Sequence, residues 1–441
     1  MLSVSVIIPI NSHKEDWLKL IHQISDHPRI TEIIISSPSN IPADFSNIQS
    51  KINKTLLWVN TKKLGRAVQM NEGAKVASGS HLWFLHADTL LSSNNVDSFL
   101  KFVEFHLQAL SYLDLKFDTD SFFLKLNAFG AKLRSHFFDL PFGDQGICLS
   151  REIFLNLGGY NEFLEFGEDL QFLVKCKKRK IDICSSRAKI TTSARKYLKN
   201  GWLKTTAVHV FWTFKLNRQF RQKQTAIAIF VKTPGLTPLK TRLGKTKGAP
   251  FAEKFYSLAV LSLKRTFINI KQKNDQVTLF WAISESPDKI THQWPDFINI
   301  FQDEGDLGVR IDSIFSSLSK NYDNVIITGS DSPHVVETDY LNAIQLLADN
   351  DVVVGPCFDG GFYLFGSRHA IKKETWLAVP YSENNTLEVL LQKLEPGYKI
   401  ARLRTTFDVD GESDLIELEK DLNQQKYMSK EKQNLLAFLR A

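Results

Sequence analysis

Cysteine is scarce in this sequence, with four residues among 441. Cys148, Cys176, Cys184 and Cys357 form neither a CxxC pair nor a Cys/His pattern with metal-ligand spacing. This usage argues against a disulfide-rich secreted scaffold and favours a reducing cytoplasm. The fold therefore has to be stabilised by hydrophobic cores, and the chain is long enough for two of them.

Long apolar runs are also missing. No stretch approaches the roughly 18 to 20 apolar residues that span a bilayer, and the N-terminus enters directly into the strand-like "VSVIIPI" instead of a signal peptide. Helix-turn-helix, zinc-finger and aromatic RNP motifs are absent as well, so nucleic acid is not predicted as a partner. We expect a cytoplasmic protein that is at most peripheral at the inner face of the cell membrane.

Charge is only slightly unbalanced, since 55 Lys and Arg against 48 Asp and Glu give a net charge of +7. Residues 201–223 combine bulky apolar clusters with a following basic stretch that contains Lys215, Arg218, Arg221 and Lys223. This segment can be a terminal helix buried against the first domain, which is the commoner outcome, or an interfacial helix on anionic lipid. A peripheral membrane contact through residues 201–223 is therefore one of two interpretations.

Short apolar strands alternate with amphipathic helices along the chain, which is typical of α/β domains with a largely parallel sheet. The pattern runs from "VSVIIP" to about residue 220 and starts again with "TAIAIFV". We therefore predict two tandem domains, residues 1–222 and residues 223–441. The halves share an architecture but no repeated sequence, which indicates a fusion of two different units.

An acidic residue follows a predicted strand in each half. "HLWFLHAD" ends on Asp88, and "NVIITGSD" ends on Asp331. In doubly wound sheets ligands bind beyond the carboxyl ends of strands, and carboxylates with phosphate oxygens suit Mg²⁺ or Mn²⁺. An aspartate at a strand end also starts turns and caps helices, so these residues alone leave both interpretations open.

Four segments of the first half, in this order, resemble family 2 glycosyltransferases. They are "GRAVQMNEGAKVASGSHLWFLHADTLL", "LPFGDQGICLSREIFLNLGGYNEF", "GEDLQFLVK" and "TTSARKYLKNGWLKTT". The similarity is greatest to a bacterial subgroup associated with radical-SAM and selenodomain genes, part of which is described as arsenosugar-biosynthesis glycosyltransferase. The resemblance implies a GT-A (nucleotide-diphospho-sugar transferase) fold, a nucleotide-sugar donor, and Asp88 as the acid that binds Mg²⁺ or Mn²⁺.

Residues near the start of "GRAVQMNEGAKVA" suit donor binding. Gly65 allows a tight turn beside a bulky ligand, and Arg66 and Asn71 offer donors to phosphate or ribose oxygens. The alternative is an ordinary amphipathic helix with a solvated arginine. By similarity to the basic motif of related synthases, Arg195 is expected to bind the diphosphate.

Two further segments suit the acceptor side. Glu168 and Asp169 open a helix, where acids are also favoured for structural reasons, and the resemblance implies that one of them, foremost Asp169, deprotonates the acceptor hydroxyl. Asp144 and Gln145 of "GDQG" are predicted as polar contacts. The chain departs from the family pattern at "EIIISSPSN", which has serines where an aspartate usually grips the nucleotide; altered donor affinity or a degenerate first domain would follow.

The second half resembles the DUF2064 family, also described as the transferase 1 group of radical-SAM/selenodomain-associated glycosyltransferase-like proteins. The segments are "VKTPGLTPLKTRL", "QDEGDLGVRI", "ITGSDSPHV", "GPCFDGGFYLFG", "VPYSENNTLEVLL" and "FDVDGESDL". This family shares a GT-A-like sheet with sugar-phosphate and phospholactate nucleotidyltransferases. The resemblance therefore implies a second domain that handles nucleotides.

Charged residues of these segments suit that role. Lys232, Lys240 and Arg242 lie on a Gly/Pro loop where cations can hold a diphosphate or triphosphate, unless the loop is merely a solvated basic surface. Asp359 stands beside two glycines, where the backbone can approach a sugar or nucleotide. The acids predicted to coordinate one or two metal ions are Asp331, Asp408 and Asp410.

We thus expect an α/β protein with two tandem GT-A-like domains, each a mainly parallel sheet flanked by helices. The predicted function is metal-dependent transfer of a sugar from a nucleotide-diphosphate donor to a hydroxyl acceptor, a small molecule or a lipid. The second domain would be another glycosyltransferase or a nucleotidyltransferase that makes the donor, so the fusion is predicted to be bifunctional. The rival hypothesis is that one domain binds ligand without turnover. Sequence does not identify the base, the sugar or the acceptor.

Overall fold

The computed structural model describes residues 2–11, 16–119, 121–193, 202–290, 294–394 and 396–441. The chain divides into two compact units, Met1–Arg221 and Gln222–Ala441. The division falls one residue before the predicted boundary. The assignment of each whole unit to a family stays a prediction.

The first unit is built on one seven-stranded sheet. Its strands are β1 Val4–Pro9, β2 Ile30–Ser37, β3 Thr55–Asn60, β4 His81–Phe84, β5 Leu110–Phe117, β6 Cys148–Ser150 and β7 Ile183–Thr192. They are arranged in the order β3-β2-β1-β4-β6-β5-β7, and β6 alone among them runs antiparallel to its neighbours. β1 and β2 are nearly continuous apolar runs because helices cover both faces of a parallel sheet.

Eight helices are described in this unit: α1 Asp16–Ile24, α2 Phe45–Ser50, α3 Arg66–Val76, α4 Ser93–Phe105, α5 Phe122–Phe138, α6 Arg151–Asn156, α7 Glu168–Lys178 and α8 Trp202–Arg221. Successive side chains of β1 point to opposite faces of the sheet. Val6 and Ile8 therefore belong to one core, while Ile7 belongs to the core on the other face.

The second unit also has one seven-stranded sheet. Its strands are β8 Thr225–Val231, β9 Val277–Ile283, β10 Ile298–Phe301, β11 Asn324–Thr328, β12 Val352–Pro356, β13 Phe362–Ser367 and β14 Ile400–Arg402. Their order is β10-β9-β8-β11-β13-β12-β14, with β13 antiparallel to both neighbours. The described helices are α9 Thr241–Lys247, α10 Ala249–Lys273, α11 Leu307–Ser319, α12 Glu337–Leu346, α13 Lys373–Leu377, α14 Thr386–Lys393, α15 Glu412–Gln424 and α16 Lys430–Arg440.

Both sheets have the same strand order when strands are counted within each unit. The order reverses between the first and fourth strands, and ligands of open α/β sheets bind in the crevice at such a reversal. Asp88 follows β4 and Asp331 follows β11, so each acid comes after a strand that borders this reversal. None of the helices in the described part of the chain is long and apolar enough to cross a membrane.

Candidate functional site

A cavity of about 500 Å³ in the first unit is lined by the N-terminal residues of two helices. Gly65 and Arg66 contribute from the start of α3, and Glu168 and Asp169 from the start of α7. A helix N-terminus leaves backbone N–H groups unpaired and carries a partial positive charge. The structure therefore brings four predicted residues of the first half together beside two anion-attracting helix ends.

The two acids of α7 differ in what holds them. Asp169 accepts hydrogen bonds from the N–H groups of Gly143, at 2.9 Å, and Leu170, at 2.7 Å. Glu168 is buried, and one of its oxygens lies 3.6 Å from Nη1 of Arg66. Burial and the neighbouring charge of Asp169 raise the pKa of Glu168. Asp169 is thus fixed in orientation by backbone, whereas Glu168 is a partner of Arg66.

Two buried polar groups lie next to these acids. A Cβ placed on Gly143 would lie 3.1 Å from Nε2 of His86 and 3.6 Å from Oδ2 of Asp169. Within the described part of the chain, neither Nε2 of His86 nor Oδ1 of Asp144 has a hydrogen-bond partner. Burial and the charge of Arg66 lower the pKa of His86 to about 3, so its ring is neutral. Buried polar atoms without partners mark a place where a ligand or ion can supply them.

Asp88 and Asp144 are the candidate ligands for a divalent cation in the first unit. Asp88 is exposed at the end of β4, and burial followed by the charges of Asp169 and Asp88 raises the pKa of Asp144. Among the described residues of either unit, no three acidic, His or Cys side chains form a complete metal site. A cation held by Asp88 and the unpaired oxygen of Asp144 would therefore take its remaining ligands from substrate and water. The metal role of Asp88 stays a prediction.

Two residues predicted as ligand contacts in the first half are hydrogen-bonded within the fold, and their ligand role stays a prediction. The side chain of Asn71 is buried and bonds to the main chain of Tyr160 in both directions, at 2.8 and 2.9 Å. Gln145 is fully buried, accepts from the hydroxyl of Ser135 at 2.8 Å and donates to the carbonyl of Leu113 at 3.1 Å. Both amides join segments of the fold, and both donors of Asn71 are used, by the carbonyl of Tyr160 and by Glu162. Arg195 lies outside the described residues.

An aromatic wall of the same cavity was not predicted as part of the site. Phe166 and Trp212 pack edge to face with their ring centroids 4.9 Å apart, and both line the cavity together with Leu216. Trp212 and Leu216 belong to α8, which lies within residues 201–223, the segment predicted to be either a buried terminal helix or a helix on lipid. Its bulky apolar clusters could have indicated a role in the site, but the direction in which they point depends on tertiary packing.

The second unit contains a larger cavity, of about 1000 Å³, at the carboxyl ends of β8 and β11. All seven residues predicted for this half line it, namely Lys232, Lys240, Arg242, Asp331, Asp359, Asp408 and Asp410. Arg310 also lines the cavity and was not singled out, although it belongs to the segment "QDEGDLGVRI". The structure therefore gathers the charged residues of six sequence segments around one space.

Lys240 is the centre of this charge cluster. Its Nζ lies 2.6 Å from Oδ1 of Asp331 and 3.4 Å from Oδ1 of Asp410, and donates to the carbonyl of Val409 at 2.6 Å. Only 5% of the Lys240 side chain is exposed. Burial lowers the pKa of Lys240, but the two carboxylates outweigh that effect and raise it overall. The ammonium therefore stays charged.

The acids predicted to coordinate metal ions in the second unit lie around this ammonium, and their metal role stays a prediction. The ammonium of Lys240 lies between Asp331 and Asp410. Asp408 accepts a hydrogen bond from the hydroxyl of Ser332, and burial raises the pKa of Asp408 to about 6. Asp331 and Asp410 are thus paired with a cation of the chain itself.

A carboxylate that sequence reasoning missed follows β9. Glu285 is buried and accepts from the N–H of Thr233 at 3.0 Å, from the hydroxyl of Thr233 at 2.8 Å and from the hydroxyl of Thr237 at 2.6 Å. Glu285 thereby fixes the loop that carries Lys232 and leads to Lys240. An acid shortly after a predicted strand was the available signal.

The glycines beside Asp359 have a structural cause. Gly360 has φ +88°, and a Cβ there would lie 1.7 Å from the carbonyl oxygen of Asn384. The N–H of Gly361 donates to Oδ1 of Asp359 at 3.0 Å. The close approach that requires glycine is therefore made by the loop at Asn384, and the ligand role of Asp359 stays a prediction.

One segment of the second half matches a known protein family. Residues 269–383 match the family described as "Uncharacterized protein conserved in bacteria (DUF2064)". The match confirms the resemblance predicted for the second half. No curated protein matches the chain.

Three solved structures are similar in fold. A protein of Desulfovibrio desulfuricans G20, assigned as a nucleotide-diphospho-sugar transferase, is 22% identical over 50% of this chain and 98% of its own, with a TM-score of 0.44. TarS 1-349 of S. aureus is 16% identical over 44% of this chain and 60% of its own, with a TM-score of 0.34. Glucosyl-3-phosphoglycerate synthase of Mycobacterium tuberculosis, solved with Mn²⁺, UDP and phosphoglyceric acid, is 12% identical over 44% and 69%, with a TM-score of 0.32.

These likenesses concern the fold only. Each unit has one mainly parallel seven-stranded sheet flanked by helices, with one antiparallel strand between the fourth and fifth. The predicted architecture, two tandem α/β domains that each have a mainly parallel sheet flanked by helices, is confirmed.

Proposed function

We propose that the first unit is a glycosyltransferase that moves a sugar from a nucleotide-diphosphate donor to a hydroxyl acceptor. The observation that supports this most is the composition of its cavity. One space combines the N-terminus of α3, whose first turn has no acid, with Arg66 and the backbone-fixed carboxylate of Asp169. Such a site has separate groups for an anionic leaving group and for a proton.

The donor diphosphate would bind at α3. Unpaired N–H groups at a helix N-terminus bind phosphate oxygens, and an arginine beside them adds charge-assisted hydrogen bonds. Glu168, 3.6 Å from Arg66, orients that guanidinium toward the cavity. A divalent cation at Asp88 would neutralise negative charge on the leaving diphosphate.

The transfer itself needs one base. The acceptor oxygen attacks the anomeric carbon, its proton goes to a carboxylate oxygen of Asp169, and the bond from that carbon to the diphosphate oxygen breaks. The N–H groups of Gly143 and Leu170 hold Asp169 in one orientation, so little ordering remains when the acceptor arrives. The nucleoside diphosphate leaves with the electron pair of the broken bond.

The test is Asp169→Asn in the full chain, after a thermal-shift screen of nucleotide-sugars has identified the donor. Loss of the base should lower kcat on the order of 10²- to 10⁴-fold, while the donor Kd changes little. Release of nucleoside diphosphate measures kcat, and calorimetry measures the Kd. Glu165→Gln is the matched control, because Glu165 is an exposed acid of the same cavity with no hydrogen bond to Asp169 among the described contacts. An unchanged rate, or equal loss of rate and donor affinity, would remove Asp169 as the base.

We further infer that the second unit binds the phosphates of a nucleotide through Lys240 and Arg242. The support is the convergence of both cations with three acids on one cavity at the carboxyl ends of β8 and β11. The product distinguishes the two reactions open to this unit. Nucleotidyl transfer releases pyrophosphate, and glycosyl transfer releases a nucleoside diphosphate.

Arg242→Glu tests this site. Arg242 is largely exposed and 3.2 Å from Asp410, so charge reversal removes a phosphate contact and adds repulsion. We expect nucleotide affinity to fall by at least about tenfold, as for loss of one charge-assisted hydrogen bond. Lys245→Glu, on an exposed position of the same helix, is the matched control. If calorimetry shows parental affinity for Arg242→Glu, the loop is a solvated basic surface.

A further inference from the structure

We propose that α5 and α8 of the first unit form a surface that docks on an anionic lipid bilayer. The lipid face is defined by the exposed apolar side chains of α5 (Phe122, Leu126, Phe129, Leu133 and Phe137) and by the exposed side chains of α8 (Val210, Phe211, Phe214, Lys215, Arg218 and Arg221). The following observations carry this assignment, and none depends on the catalytic proposal.

The apolar residues of α5 form one stripe that faces outward. Phe122, Leu126, Phe129, Leu133 and Phe137 follow one another at intervals of three or four residues, which places them on one side of a helix. Each is between 39% and 76% exposed. A surface helix of a water-soluble domain normally shows the reverse, with its apolar stripe on the core and polar groups outside. A contiguous exposed apolar patch of this kind marks an interaction surface.

The outer side of α8 continues this surface. Val210, Phe211 and Phe214 are exposed, and the last turns add Arg218 and Arg221. The two helices are joined by hydrogen bonds between the side chains of Asn127 and Thr206, at 3.0 and 3.2 Å. The face therefore has an apolar part and a cationic end.

The buried side of α8 is already occupied. Trp212, Thr213 and Leu216 line the cavity of the first unit, and Phe220 packs with Leu170 and Val174 of α7. Helical spacing puts Phe214 and Arg218 on the other side of α8. Phe214 and Arg218 are therefore exposed although α8 already packs against the first unit through its other side.

Charge identifies the partner. Neither α5 nor α8 contains an Asp or Glu, although the whole chain has 48 of them. Asp114, an acid that contacts α5, is paired with His136 at 3.0 Å and lies 3.5 Å from Lys132. Lys215 lies with its Nζ 4.9 Å from the ring centroid of Trp212, the arrangement of an amphipathic interfacial residue.

An anionic bilayer suits this face better than a second copy of the chain. Bulky apolar groups flanked by cations without acids bind the boundary between acyl chains and anionic headgroups. A symmetric dimer through the same face would set the cationic helices of two copies near each other without compensating acids. Lipid charge, in contrast, complements them.

The experiment measures binding of the full chain to sonicated vesicles by co-sedimentation. We expect binding to vesicles of phosphatidylcholine with phosphatidylglycerol, much weaker binding to phosphatidylcholine alone, and weakening by added salt. The double substitution Arg218→Gln with Arg221→Gln should reduce vesicle affinity by about tenfold or more, since each basic residue near such a surface contributes. Phe129→Ser with Phe214→Ser should reduce it at least as much.

Matched controls come from exposed residues elsewhere in the first unit. Phe105, 84% exposed at the end of α4, gives Phe105→Ser, and exposed Lys51 gives Lys51→Gln. Both should bind vesicles like the parent, and far-ultraviolet circular dichroism should be the same for all variants. The proposal is overturned if the parent ignores anionic vesicles or if the controls lose as much binding. It is also overturned if light scattering shows a dimer that Phe129→Ser with Phe214→Ser converts to a monomer.

Discussion

The two units have the same strand order and the same place for an acid, but they compensate its charge differently. In the second unit Asp331 meets the buried ammonium of Lys240 at 2.6 Å. In the first unit Asp88 is exposed, and Arg66 is half exposed and paired with Glu168. The sheet thus decides where the acid lies, while the loops decide whether a cation of the chain pairs with it.

The ends of the second strands differ in a similar way. Ser36 and Ser37 end β2 and are fully buried, whereas β9 is followed by Glu285, which holds the loop of Thr233 and Thr237. In the second unit this carboxylate therefore serves the fold. In the first unit, serines stand at the end of the second strand and no carboxylate is present there, which suggested a degenerate domain. The corresponding carboxylate of the second unit, Glu285, has a structural role.

The largest difference should appear in the metal dependence of ligand binding. Asp88→Asn keeps the shape of the side chain but loses the charge, so the stabilisation of the first unit by donor with Mn²⁺ should vanish. At a donor concentration of 100 times the Kd, that stabilisation is about 2.7 kcal/mol in the parent. Asp331→Asn should change metal dependence far less, because Lys240 already neutralises that acid. Differential scanning calorimetry with and without chelator measures both, and Asp44→Asn, at an exposed uncapped helix start, is the control. Equal effects would end the distinction between the units.

A smaller effect concerns the cations themselves. Lys240→Met removes a buried, hydrogen-bonded charge and should weaken nucleotide binding by about 2 kcal/mol. Arg66→Met, at a half-exposed position, should weaken donor binding by less, about 1 kcal/mol. Titration calorimetry of both variants with nucleotide and donor gives the two values. A larger loss of binding free energy at Arg66 than at Lys240 would show that burial does not determine how much each cation contributes to binding.

The smallest effect concerns Glu285. Burial raises the pKa of Glu285, but hydrogen bonds from Ser284, Thr237 and Thr233 outweigh burial and hold that pKa below its ordinary 4.5. Because the folded pKa is the lower one, the stabilisation is complete above pH 4.5 and is lost as the pH falls through the folded value. Glu285→Gln should therefore cost about 1 kcal/mol at neutral pH and less in acid.

Urea unfolding at neutral pH and in acid measures the change in the free energy of unfolding caused by Glu285→Gln. Ser37→Ala in the first unit is its counterpart and should change stability less, because it removes only one neutral hydroxyl. A Glu285→Gln cost that does not diminish in acid would contradict the charge-assisted role of this side chain.

Much of the site was predictable, and the exceptions share a cause. Arg66, Glu168 and Asp169 could be placed together because strand and helix ends in α/β domains meet at one edge of the sheet. Asn71 and Gln145 were predicted as ligand contacts because an amide in a motif has the same donors whether it faces a cavity or the main chain. In this fold the donors of Asn71 are used by the carbonyl of Tyr160, 89 residues away, and by the carboxylate of Glu162. Local sequence does not contain that contact.

The sequence by itself determined the two α/β units, their mainly parallel sheets and the acids after the fourth strands, because side-chain periodicity and strand-end chemistry are local properties. Only the tertiary structure decided which charges meet. It placed Lys240 between Asp331 and Asp410, left Asp88 exposed, and turned the apolar stripe of α5 outward. The physical reason is that burial and pairing depend on residues distant in sequence, and an identical helical pattern can face a core or an external partner.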